Sequence, residues 1–209
     1  MTGIDTMRLA AFAAMFAVVS DVCGAQRLTG PNPTGDVPAP VVLETGGLFQ
    51  SKFTSVGSDV FISGQPTERA LRDLRARGVT TVVNLRSPEE MSTRVPFNEA
   101  ALVKELGMEY VYLPMRGTAE FPYSPDAVKS FEAALSSAKG KVLLHCTIAW
   151  RASHLWAAYL IQHRNVPVAT ALGHARMINL MDDHRMDGDR QPVEAFLGRT
   201  LPEVGRPQR

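Results

Sequence analysis

The chain has 209 residues, 45% of them hydrophobic, and its 22 Lys and Arg against 21 Asp and Glu leave a formal net charge of +1. That length suits one ordinary domain with a real core, and the balanced charge excludes a basic nucleic-acid patch and an acidic tail, so no nucleic-acid partner is expected. Two cysteines, Cys23 and Cys146, exclude a disulfide framework and a cysteine-rich zinc site.

Residues 1–25 read as a secretory signal peptide. Met7-Arg8 precedes an apolar run over 9–19 that is too short to span a bilayer, and Cys23-Gly24-Ala25 supplies small residues before a cut at Gln26. The mature protein is then expected in the periplasm or outside the cell, free of the membrane, with Cys146 as its single thiol. Residues 26–45, with Pro31, Pro33, Pro38 and Pro40, read as an extended linker. A folded domain is expected over 46–198 and a flexible tail over 199–209.

Within that domain, residues 48–63 read as two short strands around Ser58-Asp59, with Val60, Phe61 and Ile62 buried. Pro66 and Thr67 open a helix, Thr67 as its cap, with Ala70, Leu71 and Leu74 inward and Gly78 as its stop. A strand over 80–85, a helix over 97–106 and a strand over 108–113 follow. Ser124-Pro125-Asp126 starts a helix that runs to Ala138, with Val128, Phe131 and Leu135 inward. Val142 to Leu144 is a buried strand, and residues 152–162 repeat Leu155, Trp156, Tyr159 and Leu160 at helical spacing. A last helix is expected over 169–181. Strands alternating with helices predict an α/β fold, a mainly parallel central sheet flanked by helices and joined by right-handed crossovers.

The chemistry gathers after the 142–144 strand. Cys146 leaves a strand's carboxyl end, where open α/β sheets bind ligands, and Arg151 falls in the first turn of the next helix. The backbone N–H groups of Thr147, Ile148, Ala149, Trp150 and Arg151 can turn toward one centre. The helix start adds about half a positive charge there, and Arg151 brings a bidentate fork for tetrahedral oxyanions. Such a field favours a thiolate, and a thiolate beside an anion cradle is a nucleophile for phosphoester or sulfane-sulfur chemistry. A lone cysteine after a strand is more often an inert buried thiol. His145 before it and Arg151 after it reverse that balance.

His-Cys followed by Arg resembles the phosphate-binding loop of the cysteine-dependent protein phosphatases, with four intervening residues in place of five. That spacing is typical of the DUF442, or beta-lactamase hydrolase-like, branch of the tyrosine and dual-specificity phosphatases, and of many rhodaneses. A second stretch decides between them: Ser63-Gly64-Gln65-Pro66-Thr67, then a helix, then a strand ending Asn84-Leu85-Arg86. It closely resembles the DUF442 pattern, and rhodaneses lack it. The resemblance runs from about residue 53 to residue 180.

It implies a dual-specificity-phosphatase-like fold and hydrolysis of a phosphorylated small molecule or phosphoprotein, without a cofactor, through a thiophosphoryl-cysteine. Cys146 would attack, Arg151 and the loop amides would hold the oxygens, and His145 would tune the thiol from behind. A non-catalytic oxyanion-binding module and a sulfurtransferase are the alternatives. The family's general acid is an aspartate on the loop after the preceding strand. Residues 114–120 hold none, Glu120 is the nearest carboxylate and the candidate acid, and Asp126 opens the next helix. Ala149 stands where relatives carry a glycine that allows positive φ. Trp150 either walls the pocket, where it could stack on an aryl or sugar group, or plugs it. Arg86 either holds a second anionic group or pairs with Glu89 or Glu90. Asp183 to Glu194 resembles a calcium loop but carries arginine at a ligand position and reads as a solvated turn, and His154, His163 and His174 are too scattered to predict a metal.

Overall fold

The computed structural model describes residues 27–30, 36–180 and 190–201. The expected signal peptide, the calcium-loop look-alike at 183–189 and most of the tail lie outside these residues. In chain order the described elements are β1 Val41–Val42, β2 Phe53–Val56, β3 Val60–Ser63, α1 Glu68–Ala76, β4 Val79–Asn84, α2 Pro88–Arg94, α3 Glu99–Glu105, β5 Glu109–Tyr112, α4 Pro125–Ser137, β6 Lys141–His145, α5 Trp150–His163, α6 Val168–Ile178 and α7 Arg190–Leu197. They form one sheet in the order β1-β2-β3-β6-β4-β5, in which β3, β6, β4 and β5 run parallel and β1 and β2 add an antiparallel edge. The fold is the mainly parallel α/β arrangement expected from the sequence. No described helix is long and apolar enough to cross a membrane.

Side chains alternate across the pleat, and the central strands bury both faces. Val142 and Leu144 of β6 pack with Ile62, Val83, Phe131 and Trp156 beneath α4 and α5. Leu143, between them, packs with Phe61, Val82, Leu71, Leu74 and Val103 beneath α1 and α3. Thr67 caps α1 by accepting from the Ala70 amide, and Ser124 caps α4, both as the sequence predicts. The helix expected over 97–106 starts two residues later, because Asn98 caps it and accepts from the Ala101 amide. The helix expected from Ala152 starts two residues earlier, at Trp150. Strand β1 and helices α2 and α7 were not expected.

The segment read as a linker is part of the fold at two places. Val41–Val42 pairs with β2. Leu28 is fully buried in the larger core cluster, and Gly30 donates to the Leu135 carbonyl at 2.9 Å. The physical reason is Asp59, whose Oδ2 accepts from the amides of Leu28 and Thr29, each at 3.0 Å, and from the Thr29 hydroxyl at 2.8 Å. Hydrogen bonds to a charged acceptor contribute about 1.5–3 kcal/mol each, though not additively. Asp59→Ala is therefore expected to lower stability by at least about 2 kcal/mol and to free the backbone after the exposed Arg27 for cleavage by trypsin. Denaturant titration with limited proteolysis checks both.

For the site, the decisive feature is register. Ser63 of β3 and Asn84 of β4 both lie opposite His145 of β6. The residues that leave these three strands, Gly64-Gln65, Leu85-Arg86 and Cys146, therefore emerge side by side at one edge.

Candidate active site

Cys146 follows β6 directly, has a free thiol and is 1% exposed. Its amide donates to the Ser63 carbonyl at 3.3 Å, and the Thr147 carbonyl accepts from the Gln65 amide at 2.9 Å. The loop is thus stitched to the segment after β3. Gly64 makes the stitch possible, since a Cβ there would lie 1.7 Å from the Gln50 carbonyl oxygen. From the other side, the Asn179 side chain donates to the Ile148 carbonyl.

Ala149 then takes the left-handed conformation, with φ 68° and ψ 0°, and starts α5. This conformation costs a residue with a Cβ about 1–2 kcal/mol, so Ala149 is held here under strain. No side chain caps α5. The N–H groups of a helix's first turn have no intrahelical partner and carry its positive end. Here they follow the thiol within the same short loop. Trp150, the first residue of α5, is half-buried and sets its ring 4.2 Å from that of His154, centroid to centroid. His154 is fully buried, and burial pulls its pKa down to about 4 against the opposing bond to the Trp150 carbonyl, so it is neutral.

Arg151, one residue further, is largely buried and tightly held. Its Nη1 donates to the carbonyls of Leu85 at 3.1 Å and Met115 at 2.7 Å. Its two terminal nitrogens also grip the Glu90 carboxylate end-on, Nη1 to Oε2 at 2.9 Å and Nη2 to Oε1 at 2.7 Å. The Thr147 hydroxyl completes the knot, donating to Glu90 Oε1 at 2.6 Å and accepting from Arg151 Nη2 at 2.9 Å. Burial alone would raise the Glu90 pKa, but the hydrogen bonds from Arg151, Thr147 and the Ser87 amide outweigh it and hold the group at about 2. Glu90 in turn keeps the Arg151 guanidinium charged despite its burial.

Behind the loop lies a second buried network, centred on Glu99, which is 1% exposed. Its Oε1 accepts from His145 Nε2 at 3.0 Å, Asn84 Nδ2 at 2.9 Å and the Tyr110 hydroxyl at 3.1 Å, and its Oε2 from Gln65 Nε2 at 2.5 Å. Burial would raise this carboxyl, yet the contacts with His145, Gln65 and Tyr110 hold it below the usual carboxylate range. Arg86 joins through Gln65, with Nη1 donating to Gln65 Oε1 at 2.7 Å and Nη2 to the Glu90 carbonyl at 3.2 Å. Asn84 Oδ1 accepts from the Arg86 amide at 2.8 Å. The two sequence stretches around Gln65 and around Asn84-Leu85-Arg86 are therefore one structural unit, a polar frame under the thiol.

The structure brings Cys146, Thr147, Ile148, Ala149, Arg151, His145 and Arg86 together at one sheet edge. Arg86 is 1% exposed and turned into the frame, so its contact with Glu90 is to a backbone carbonyl and not a surface ion pair. Glu120 stands apart. It is exposed and lines a groove of about 510 Å³ with Ser87, Pro88, Glu89, Arg116 and Phe121, a lining that includes neither Cys146 nor Arg151. Glu99 was not singled out from the sequence, and Glu90 only as a possible surface partner of Arg86. The available signal for Glu90 was the capping box Ser87-Pro88-Glu89-Glu90, which both starts α2 and points a carboxylate back toward the strand end. Among the described residues no group of three His, Cys, Asp or Glu side chains could hold a metal ion.

Residues 52–164 match the family model described as beta-lactamase hydrolase-like protein, phosphatase-like domain. Two curated relatives, both beta-lactamase hydrolase-like proteins of Xylella fastidiosa, are 30% and 29% identical over 133 residues. That stretch is 62% of this chain and 30% of each relative, so the match spans less than a third of their length. Among solved structures, a DUF442 protein of Shewanella putrefaciens CN-32, classed with the phosphatases, is 28% identical with a TM-score of 0.53, over 73% of this chain and 97% of that one. TpbA of P. aeruginosa, solved with phosphotyrosine, is 14% identical with a TM-score of 0.54, over 78% of this chain and 90% of that one, a likeness of fold alone.

Proposed function

The chain belongs to the beta-lactamase hydrolase-like, phosphatase-like domain family, and from that premise we propose that it hydrolyses phosphoesters through Cys146. The Cys146 sulfur attacks phosphorus, the ester oxygen leaves with its electron pair, and the phosphoryl group stays on sulfur. Water then attacks phosphorus, releasing phosphate and the thiolate. The loop amides and Arg151 hold the non-bridging oxygens, and His145, fixed by Glu99, frames the thiol. The substrate is a phosphorylated small molecule or phosphoprotein met outside the cytoplasm, after export by the amino-terminal segment. The observation that carries this reading is the thiol set directly before an uncapped helix start that also bears the anchored Arg151.

Leaving-group protonation is the weak step. Residues 114–120 hold no aspartate, and Glu120 faces another groove. A missing general acid costs about 10²- to 10⁴-fold, and most for the poorest leaving groups. Aryl phosphates with acidic phenols are therefore turned over weakly, and alkyl phosphates barely. One second reading has a specific observation behind it: the strained Ala149 and the absent acid also fit a loop that binds oxyanions without turning them over.

The test is a series of aryl phosphates spanning leaving-group acidity, run beside thiosulfate with cyanide as sulfur acceptor, and phosphate calorimetry on wild type and Arg151→Ala. Rates that rise steeply with leaving-group acidity, with phosphate binding lost in Arg151→Ala, support the phosphatase. Thiocyanate formation would make it a sulfurtransferase. Binding without turnover would make it a binding module.

A further inference from the structure

Resting on the reading of Cys146 as the attacking group, we propose that Tyr123 supplies the proton to the leaving group. Phosphoryl transfer to sulfur needs that proton wherever the departing oxygen is strongly basic, and residues 114–120 hold no aspartate to give it. The chain after β5 instead brings Tyr123 back to the site. Met115 is anchored there, its carbonyl accepting from Arg151 Nη1 at 2.7 Å. The amides of Arg116 and Gly117 then both donate to the Phe121 carbonyl, at 2.8 and 2.9 Å, closing a turn that leaves Thr118, Ala119 and Glu120 exposed. Just past that closure, Tyr123 packs on the core cluster that includes Met115, Cys146 and Ala149.

The ring is held on two sides. Phe196 of α7 lies 5.0 Å away, centroid to centroid. Gly117 backs the phenol edge so closely that a Cβ there would come within 2.7 Å of Tyr123 Cε2. The hydroxyl is uncommitted: among the described residues none hydrogen-bonds it, whereas the Tyr110 hydroxyl is tied to Asn84 and Glu99. The charges that reach it are those of Arg151, Cys146, Glu90 and Arg116. Burial raises its pKa above the ordinary tyrosine range, and Cys146 and Glu90 add to this against the pull of Arg151 and Arg116. Near neutrality the proton therefore stays on Tyr123, and a departing alkoxide is a strong enough base to take it. In the first step the S–P bond forms, the P–O ester bond breaks with its electron pair on oxygen, and the Tyr123 proton passes to that oxygen. Arg151 and Arg116 stabilise the phenolate left behind. In the second step water attacks phosphorus, the S–P bond breaks with its electron pair on sulfur, and a water proton returns to Tyr123. A phenol is a weaker acid than a carboxyl, so turnover still falls as leaving groups become more basic, only less steeply than without it.

The test compares the full chain with Tyr123→Phe, which keeps the ring, its packing on Phe196 and its contact with Gly117, and with Glu120→Gln, which removes the rival acid. Two quantities are read: rates across the aryl phosphate series, and affinity for vanadate, whose apical oxygen takes the place of the leaving group. Tyr123→Phe is expected to match the wild type on the most acidic phenol, to fall about tenfold or more below it on the least acidic, and to bind vanadate about tenfold more weakly. The same dependence on leaving group in wild type and Tyr123→Phe overturns the proposal. So does a loss confined to Glu120→Gln, and so does a Tyr123→Phe loss equal on every phenol, which marks a packing role. A wild type that binds vanadate but turns over nothing defeats the phosphatase reading. In that event weaker vanadate binding by Tyr123→Phe upholds Tyr123 as the donor at the leaving-group position, and equal binding overturns it. A wild type that neither binds vanadate nor turns over defeats both.

Discussion

Replacing Cys146 with serine is expected to lower phosphoryl transfer by about 10⁴-fold or more while phosphate still binds. A serine hydroxyl is uncharged at neutral pH and needs a base to attack. The nearest imidazole, His145, has Nε2 engaged by Glu99 in the frame behind the loop. The swap changes one buried atom and leaves Arg151, the loop backbone and the α5 start in place, so the anion cradle survives it. Steady-state kinetics with phosphate calorimetry on the variant checks both halves. Retained turnover would mean that the nucleophile lies elsewhere.

The largest stability effect is expected from Glu99→Ala. Removing this carboxylate takes an acceptor from His145, Asn84, Tyr110 and Gln65, of which Asn84 and Gln65 keep second acceptors in the Tyr110 hydroxyl and the Pro66 carbonyl. Leaving a buried polar group without its partner costs about 1–3 kcal/mol, a large part of the roughly 5–15 kcal/mol that holds a domain together. The effect depends on pH with a definite sign. A carboxyl held below its unfolded value in the fold adds stability that is fully present above the unfolded pKa, near 4.3, and is lost as pH falls through the folded value. The gap between wild type and Glu99→Ala should therefore be widest near neutrality and shrink below about pH 4. Glu90 follows the same rule over the interval from 4.5 down to about 2. Urea titrations at pH 7 and at pH 3.5 measure the difference. A gap that grows in acid would contradict the assignment of an ionised Glu99.

What the sequence disclosed and what it hid differ by range. Caps are local chemistry, so Thr67 and Ser124 were legible from their neighbours. Central strands such as 142–144 announce themselves because both faces are buried. Helix α2 offered no apolar stripe, since it buries none of its residues, and only its capping box betrayed it. The Pro-rich stretch after residue 26 looked like a linker by composition. One leucine in the core and one aspartate 31 residues away override that composition. Glu99 is the extreme case. At the first position of a helix it reads as a favourable dipole charge, whereas its burial is created by partners 11, 15, 34 and 46 residues distant. The loop itself was legible as Cys146 and Arg151 in strand–loop–helix context. The way Arg151 is held was not, because its acceptors come from three separate segments.

The pairing of Arg151 with Glu90 bears on how an anion finds this site. A lone cation at a cleft mouth casts an attractive field that gathers ligands from a distance. Here the cation and a carboxylate sit within hydrogen-bond distance, on a chain whose charges already nearly cancel. Their combined field dies away faster than that of a single charge, and salt trims what is left beyond about 8–10 Å. Encounter is then ruled by ordinary diffusion and changes little with ionic strength. Attraction begins only at contact, where the amides, the Arg151 guanidinium and the helix start act together. Such a loop sorts its ligands by fit and hydrogen bonding at close range, and the amount of charge they carry counts for less.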